Sequence, residues 1–158
     1  MIDLRLVERG STAAILHVLD TGFRLLWGIG VDEVRARYDP LDDLVEPAEY
    51  YGERGGIFLV LVDAGKIVGT GGVLGIDAEL AELRRLWILP DYRGQGLGRR
   101  LCEALLVFAR GRGYLSVRLE VATPEIQVPA VRLYTRLGFR PVAPFRDGPC
   151  DLTLEKRL

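Results

Sequence analysis

The sequence predicts one α/β domain folded around a single mixed sheet. Its 158 residues fall in the range of roughly 100–200 residues that is typical of a single domain. Hydrophobic residues make up 49% and charged residues 27% of the chain, which are the proportions of a soluble globular domain with its own core. Segments with an apolar residue at every second position, typical of strands, alternate along the chain with segments of helical periodicity.

The N-terminal third begins with a strand and a helix. Residues 2–6 alternate between apolar and polar side chains, which indicates a half-buried strand. Ser11 or Thr12 is placed to cap an amphipathic helix that follows. The stretch 28–56 is acidic and is interrupted by two prolines, so we expect short helix and loop there rather than a linker between domains.

The middle of the chain predicts a hairpin and a further strand. Residues 57–62 are all apolar and of strand length, residues 63–66 have turn chemistry, and residues 67–70 start the returning strand. Residues 82–89 form another predicted strand, which Pro90 ends because proline has no N–H to donate to a sheet.

The C-terminal part continues the alternation of helices and strands. Residues 97–108 carry apolar side chains at helical spacing, and the glycines shortly after them can end this helix. Residues 115–121 alternate as a strand, residues 131–137 predict a short helix with a strand just after it, and a last strand lies around 152–154. The predicted element order is therefore β-α-α-β-β-β-α-β-α-β-β.

The charge balance argues against a nucleic-acid partner. The formal net charge is −1, whereas a protein that binds nucleic acid normally carries a basic surplus. Residues 84–100 contain five arginines and one aspartate, a local charge of +4, and residues 32–54 contain eight acidic residues and three arginines, a local charge of −5. One cationic patch on a neutral protein suits a small polyanionic ligand, and the alternative is that both patches are solvated surface.

The few cysteines and histidines argue against metal chemistry. Cys102 and Cys150 are the two cysteines and His17 is the one histidine, so neither a zinc site nor a Ser-His-Asp triad is supported, and we expect no metal. Cys102 is expected to be a buried residue of a helix, and His17 a structural residue among apolar neighbours.

The same sequence predicts a cytoplasmic protein without a membrane partner. The N-terminus lacks the apolar core of a secretory signal. The apolar run 57–62 is far shorter than the ~18 residues that would span a bilayer.

A glycine-rich loop at 93–98 joins a predicted strand to a predicted helix. The first N–H groups of a helix have no partner within it and bind anions, and glycines let a phosphate approach the backbone. Arg93, Arg99 and Arg100 add positive charge beside that position. The spacing matches neither the dinucleotide fingerprint nor a P-loop, and a merely structural turn is the alternative.

Two longer motifs, one of which contains this loop, point to a known family. The first is the segment Glu82–Gly98, ELRRLWILPDYRGQGLG, and the second is the segment Leu133–Phe139, LYTRLGF. Together they resemble the GNAT superfamily of N-acetyltransferases, whose signature Arg/Gln-x-x-Gly-x-Gly/Ala is met by Arg93, Gly96 and Gly98. The resemblance is specific over residues 57–140, and the element order agrees over essentially the whole chain.

The resemblance implies a fold and a co-substrate. It implies one N-acetyltransferase domain over residues 1–158, with a mixed, mostly antiparallel sheet that is flanked by helices. In that sheet the parallel strands around Trp87 and Leu119 splay apart, and acetyl-CoA lies in the opening. The pantetheine arm would pair with the strand at 87–89 and the pyrophosphate would lie on the amides of 94–99. The implied cofactor-binding residues are Trp87, Ile88, Leu89, Arg93, Gly94, Gln95, Gly96, Leu97, Gly98, Arg99 and Gln127, the last in the place where many relatives carry an asparagine.

The resemblance also implies a mechanism without a covalent intermediate. A deprotonated primary amine attacks the thioester, and a backbone N–H near Trp87 meets the developing oxyanion. Tyr134 is the candidate acid for the departing thiolate, because a phenol stays protonated at neutral pH. Glu82 is the candidate acceptor of the amine proton. The structural alternatives are a core tyrosine and a solvated strand end.

The acceptor is predicted only as a class. If the acidic stretch 32–54 and the segment 144–149 line its pocket, their charge favours a polyamine, an amino sugar or a lysine side chain. A homodimer through the C-terminal strands is plausible for this resemblance. The competing classes are a non-catalytic acyl-CoA-binding module and a protein-interaction domain on the same sheet.

Overall fold

The computed structural model describes residues 1–144 and 152–158 as one seven-stranded sheet with helices on both faces. The strands are β1 (Ile2–Leu6), β2 (Ile57–Asp63), β3 (Lys66–Gly75), β4 (Leu80–Ile88), β5 (Ser116–Val121), β6 (Arg140–Val142) and β7 (Leu152–Arg157). The helices are α1 (Thr12–Trp27), α2 (Val31–Arg37), α3 (Pro47–Gly52), α4 (Leu97–Gly111) and α5 (Val128–Arg136). Short 3₁₀ turns cover Asp42–Leu44 and Pro90–Tyr92.

The sheet topology confirms the predicted mixed, mostly antiparallel fold. The strand order is β1-β2-β3-β4-β5-β7-β6, and every neighbouring pair is antiparallel except β4 and β5. The parallel pairing covers only Leu80–Glu82 against Ser116–Arg118, although both strands continue beyond it. The sheet therefore opens into a V between β4 and β5.

Two apolar cores lie on opposite faces of the sheet. On one face α4 packs its buried leucines, such as Leu101 and Leu105, against side chains from the central strands. On the other face α1, α2 and α3 bury a second cluster that includes Leu19, Tyr51 and Phe58. Alternation along β2 supplies both cores, since Leu59 joins the first and Phe58 the second.

A few local features differ from the sequence predictions. The acidic stretch forms two short helices, α2 and α3, rather than one. Helix α5 begins at Val128, three residues earlier than predicted, because Pro129 fits the first turn of a helix. Cys102 is fully buried as expected, but His17 is exposed on the outer face of α1 rather than lying among apolar neighbours.

A β-bulge interrupts β4 where the V begins to widen. Thr70 of β3 pairs with Trp87 and Gly72 pairs with Arg84, so that two residues of β4 lie opposite a single residue of β3. Arg85, one of these two, has a φ of 62°, in the left-handed region that bulky residues rarely occupy. The Thr70 hydroxyl donates to the Arg85 carbonyl oxygen at 2.7 Å. The extra residue reverses the alternation of side chains along β4.

An ion-pair network holds the bulge. The Arg85 guanidinium donates to both carboxylate oxygens of Asp43 and of Asp39, at 2.6 to 3.2 Å. The buried Tyr51 hydroxyl donates to Asp43 at 2.6 Å, and Gly72 makes room for that ring, because a Cβ there would lie 2.5 Å from it. Burial alone would raise the pKa of Asp43, but the hydrogen bonds and charge of Arg85 outweigh it and lower that pKa below its ordinary value.

We expect Asp43→Asn to destabilise the domain by about 2–4 kcal/mol, because it removes half of the charge that compensates the buried Arg85. Since the pKa of Asp43 is lowered on folding, its contribution is present above the unfolded pKa of about 4 and is lost as the pH falls below it. The free energy of unfolding, measured by urea denaturation from pH 7 to pH 3, should fall less steeply in the variant.

The exposed neighbour Asp42 provides the matched control, and Asp42→Asn should leave both the free energy of unfolding and its pH slope unchanged. Equal stability of the two variants would contradict a structural role for the Arg85 network.

Candidate functional site

The V between β4 and β5 opens into a cleft of about 450 Å³. Backbone pairing ends at Glu82 and Arg118, and beyond that point the outer part of β4, the N-terminus of α4 and one side of α5 face one another. The residues that line the cleft are Leu26, Leu86, Trp87, Ile88, Tyr92, Arg93, Gly94, Gly96, Leu97, Gly98, Arg99, Ile126, Gln127, Pro129, Ala130, Leu133, Tyr134, Arg136 and Leu137. The sequence motifs at 93–98 and 133–139 therefore meet in one place.

The free edge of β4 presents backbone groups to this cleft. The Leu89 N–H donates to the Val68 carbonyl at 2.9 Å, so Leu89, and Trp87 two residues before it, direct their N–H groups toward β3. Ile88 and Leu86 alternate with them and direct theirs toward the side that β5 has left. A peptide-like group can add to β4 there as an extra strand.

This alternation changes the expected set of β4 contacts. Leu89 is buried and does not line the cleft, and its carbonyl already accepts from the Tyr92 N–H, so the geometry does not favour a backbone contact from Leu89. Trp87 reaches the cleft with its side chain rather than with its N–H. The sequence prediction missed Leu86, because nothing in the sequence marks the bulge that turns it toward the cleft.

The N-terminus of α4 faces the same cleft. The first hydrogen bond within α4 runs from the Arg100 N–H to the Gly96 carbonyl at 3.0 Å, which leaves the N–H groups of Leu97, Gly98 and Arg99 without a partner in the helix. Gly96 precedes the helix with a φ of 75°, a conformation that glycine adopts without strain. These N–H groups and the partial positive charge of the helix end can bind an anion.

Two arginines of the loop flank this anion position. Arg93 and Arg99 line the cleft, where Arg93 donates through Nε to the Ile88 carbonyl at 3.2 Å and Arg99 pairs with Glu103 on the surface of α4. Arg136 of α5 lines the opposite wall. The cleft is thus electropositive at its outer end.

The remaining arginines of the 84–100 segment lie elsewhere, so the predicted cationic patch is not a single surface. Arg84 pairs with Glu82 at 2.7 Å, and Arg85 is buried in its network with two aspartates. Arg100 donates to the Ile2 carbonyl at 2.7 Å and ties α4 to the edge strand β1. Strand alternation and the bulge separate residues that are close in sequence.

Tyr134 projects from α5 into the inner part of the cleft. Its ring packs against Phe139 with the ring centroids 5.8 Å apart, and the residue is 7% exposed. Burial, with a smaller contribution from Cys102, raises the pKa of the phenol well above its ordinary value. Within residues 1–144 and 152–158 no side chain hydrogen-bonds its hydroxyl, so the proton of Tyr134 is available to a ligand.

Glu82 lies at the apex of the V but on the other face of the sheet. Its side chain points to the side of α1, is 4% exposed, and accepts a hydrogen bond from Arg84 Nε at 2.7 Å. Tyr134 belongs to the core on the α4 side. The two candidate catalytic residues therefore lie on opposite sides of the opening between β4 and β5.

Gln127 and Gln95 differ in their relation to the cleft. Gln127 is the residue before α5 and lines the cleft, and its side-chain amide donates to the Ala122 carbonyl at 2.5 Å, which fixes the turn after β5. The Oε1 atom of the same amide can accept a hydrogen bond from a ligand. Gln95 is exposed and does not line the cleft.

The acidic stretch is largely neutralised by arginines of this chain. Asp39 and Asp43 bind Arg85, and further pairs are Asp32–Arg35, Glu33–Arg37 and Arg9–Glu49. The charges of Asp39 and Asp43 thus organise the fold, whereas the other three pairs lie on the exposed surface. In the second predicted pocket segment, 144–149, only Pro144 belongs to the described residues.

The described part of the chain holds no group of three or more His, Cys, Asp or Glu side chains able to bind a metal ion. In the same residues no single helix has both the length and the hydropathy to cross a membrane, and only α1 and α2 together, bent by 81°, meet that test.

The sequence of this chain is similar to those of known acetyltransferases. The profile of the acetyltransferase (GNAT) family matches residues 17–139. An uncharacterised N-acetyltransferase of Schizosaccharomyces pombe is 33% identical over 119 residues, which are 74% of this chain and 72% of that protein. Human N-acetyltransferase 8B is 38% identical over 96 residues, 58% of this chain, and the match spans only 41% of that longer protein.

A solved structure shares the whole fold. The PaiA N-acetyltransferase of Thermoplasma acidophilum, determined in complex with coenzyme A, superposes with a TM-score of 0.79 at 22% identity and covers 100% of this chain and 99% of its own. The likeness therefore extends over the described sheet, including its parallel pair of strands.

The cleft geometry predicts that polyanion binding depends on Arg99 and not on Arg100. We expect Arg99→Ala to weaken the binding of inorganic pyrophosphate about 3–10-fold at low ionic strength, because the charge at the helix N-terminus is lost. Arg100→Ala is the matched control, since its side chain is bound to Ile2 outside the cleft. Isothermal titration calorimetry measures both affinities, and equal weakening in the two variants would contradict an anion site in the cleft.

Proposed function

The chain belongs to the acetyltransferase (GNAT) family, and from this we propose that it transfers the acetyl group of acetyl-CoA to a primary amine by direct attack. The observation that carries the proposal is the junction of three features in one cleft: the free edge of β4, the open N-terminus of α4 and the buried phenol of Tyr134. That the acceptor is a primary amine, and that the whole protein has this activity, are both parts of the proposal.

The residues of the cleft fit coenzyme A in both shape and chemistry. Gly94 and Gly96 leave the backbone open, as no atom lies within 4 Å of where their Cβ atoms would be, so phosphate oxygens can approach the N–H groups of α4. Ile88 offers its N–H to the amides of a pantetheine arm, together with the carbonyl lone pair that Arg93 does not use. The apolar wall formed by Leu133 and Leu137 covers the arm on the side of α5.

The proposed reaction places the thioester beside Leu86. The Leu86 N–H points into the cleft one alternation step further in than Ile88, and it can donate to the carbonyl oxygen as negative charge develops there. This group is adjacent to Trp87, near which the resemblance placed the N–H for the oxyanion. Bound acetyl-CoA supplies an activated acyl group, so the chain itself needs no nucleophile.

Tyr134 is proposed as the acid that protonates the departing thiolate. Its hydroxyl has no competing partner among the described side chains, and burial raises its pKa, so it holds its proton over the whole physiological range. Glu82 is proposed to receive the proton of the amine on the other face of the sheet, directly or through water. Arg84 keeps that carboxylate oriented.

The experiment that tests this function is a thiol-release assay with a panel of amines. We expect free coenzyme A to form from acetyl-CoA only when both the protein and an accepted amine are present. A thermal upshift with acetyl-CoA, without thiol release for any polyamine, amino sugar, amino acid or lysine peptide, would instead identify a non-catalytic acyl-CoA-binding module. No shift with acetyl-CoA at millimolar concentration would refute the proposal.

We expect Tyr134→Phe to lower kcat about 100-fold while the Kd for acetyl-CoA changes less than about twofold, because only the transferable proton is removed. Tyr38, which is 63% exposed, provides the matched control Tyr38→Phe, for which both parameters should equal those of the wild type. An unchanged kcat in Tyr134→Phe would assign Tyr134 to the core alone.

A further inference from the structure

On the face of α1, a hydrogen bond from α1 to the end of β5 bridges the opening between β4 and β5. Trp27, the last residue of α1, donates through its indole Nε1 to the hydroxyl of Thr123 at 2.9 Å. Thr123 lies two residues beyond the end of β5, while the indole of Trp27 contacts Trp87 of β4, with ring centroids 6.1 Å apart. One side chain therefore touches both arms of the V.

The surroundings of this bridge leave it little freedom to move. The ring of Phe23 packs edge-on against Trp87 at 5.2 Å, and a Cβ at Gly22 would lie 2.5 Å from the Trp87 ring, so Trp87 is pressed closely against α1. Thr123 has a φ of 46°, an unusual backbone conformation that brings its hydroxyl to the indole.

The bridge lies at the level of the proposed thioester. In the parallel register Glu82 pairs with Arg118. Because the bulge in β4 takes up one residue, counting outward along both strands brings Trp87 opposite Ala122, the residue before Thr123. Leu86, whose N–H faces the carbonyl oxygen in the proposed function, is the residue before Trp87. Trp87 lines the cleft and the indole of Trp27 lies directly behind it, so an acyl group that points through the V toward α1 meets Trp87 first and then Trp27.

We propose that Trp27 sets the acyl-chain selectivity of this site: the indole, held across the V by Thr123, accepts an acetyl group and excludes longer acyl chains. This inference rests on the proposed function, because it places an acyl-CoA in the cleft. A longer chain has to displace the indole, which breaks a half-buried hydrogen bond and the contacts of Trp27 with the rings of Phe23 and Trp87.

The test compares the binding of acetyl-, butyryl- and hexanoyl-CoA by calorimetry, so it does not require the acceptor amine. In the wild type we expect hexanoyl-CoA to bind at least about tenfold more weakly than acetyl-CoA. In Trp27→Ala the two Kd values should become equal within about threefold, because the space of the indole takes up the extra methylenes.

Two further variants separate this effect from a loss of folding. Thr123→Val keeps the shape of the side chain but removes the hydroxyl that accepts the hydrogen bond from Trp27. It should therefore reduce the ratio of the hexanoyl-CoA to the acetyl-CoA Kd only partially, because the indole still fills its space. Leu25→Ala removes an apolar residue of the same helical turn that is 60% exposed to solvent, and it should retain the wild-type ratio.

The outcomes distinguish this proposal from the function on which it rests. If the wild type binds all three acyl-CoAs equally, or if Trp27→Ala keeps the wild-type ratio, the role of Trp27 is refuted while the acetyl-CoA site stands. If the wild type binds neither acetyl-CoA nor coenzyme A, the proposed function itself fails.

Discussion

The ion pairs of Arg85 are the interaction on which the site depends. Its guanidinium is bound by Asp39 and Asp43, and these bonds hold the Arg85 backbone in a left-handed conformation that it would otherwise avoid. The resulting bulge turns Leu86 and Ile88 toward the cleft and Trp87 toward α1. A buried pair of this kind adds little net stability compared with apolar packing, so its main contribution here is to specify the path of β4.

The sheet divides the proposed reaction between its two faces. The face of α4 and α5 carries the anion position, the free strand edge and Tyr134, while the face of α1 carries Glu82 and the aromatic side chains. The V is the passage between them, because pairing of β4 with β5 stops at Glu82. This arrangement lets a co-substrate and an amine approach a common point from opposite directions.

The sequence allowed most of the local structure to be predicted, since periodicity and turn residues are local signals. The glycine loop before α4 was located by its place between a predicted strand and a predicted helix, and Tyr134 by the resemblance of its segment to the GNAT family. Three features could not be predicted, because they arise from contacts between distant residues. Arg85 meets Asp39 across 46 positions and Trp27 meets Thr123 across 96, while the arginines of 84–100 diverge because of the bulge. For the same reason the sequence did not indicate that Leu86 lines the cleft and Leu89 does not.

The short parallel pairing of β4 with β5 has a mechanical consequence. Three residue pairs join the half of the sheet formed by β1–β4 to the half formed by β5–β7, whereas the neighbouring antiparallel ladder of β5 with β7 contains six. Only the terminal pairing of β6 with β7 is equally short among the described strands, so a small rotation at the β4–β5 junction changes the width of the cleft with little loss of hydrogen bonding elsewhere. A ligand that contacts both β4 and β5 therefore adds a second connection between the two halves of the sheet and restricts this rotation.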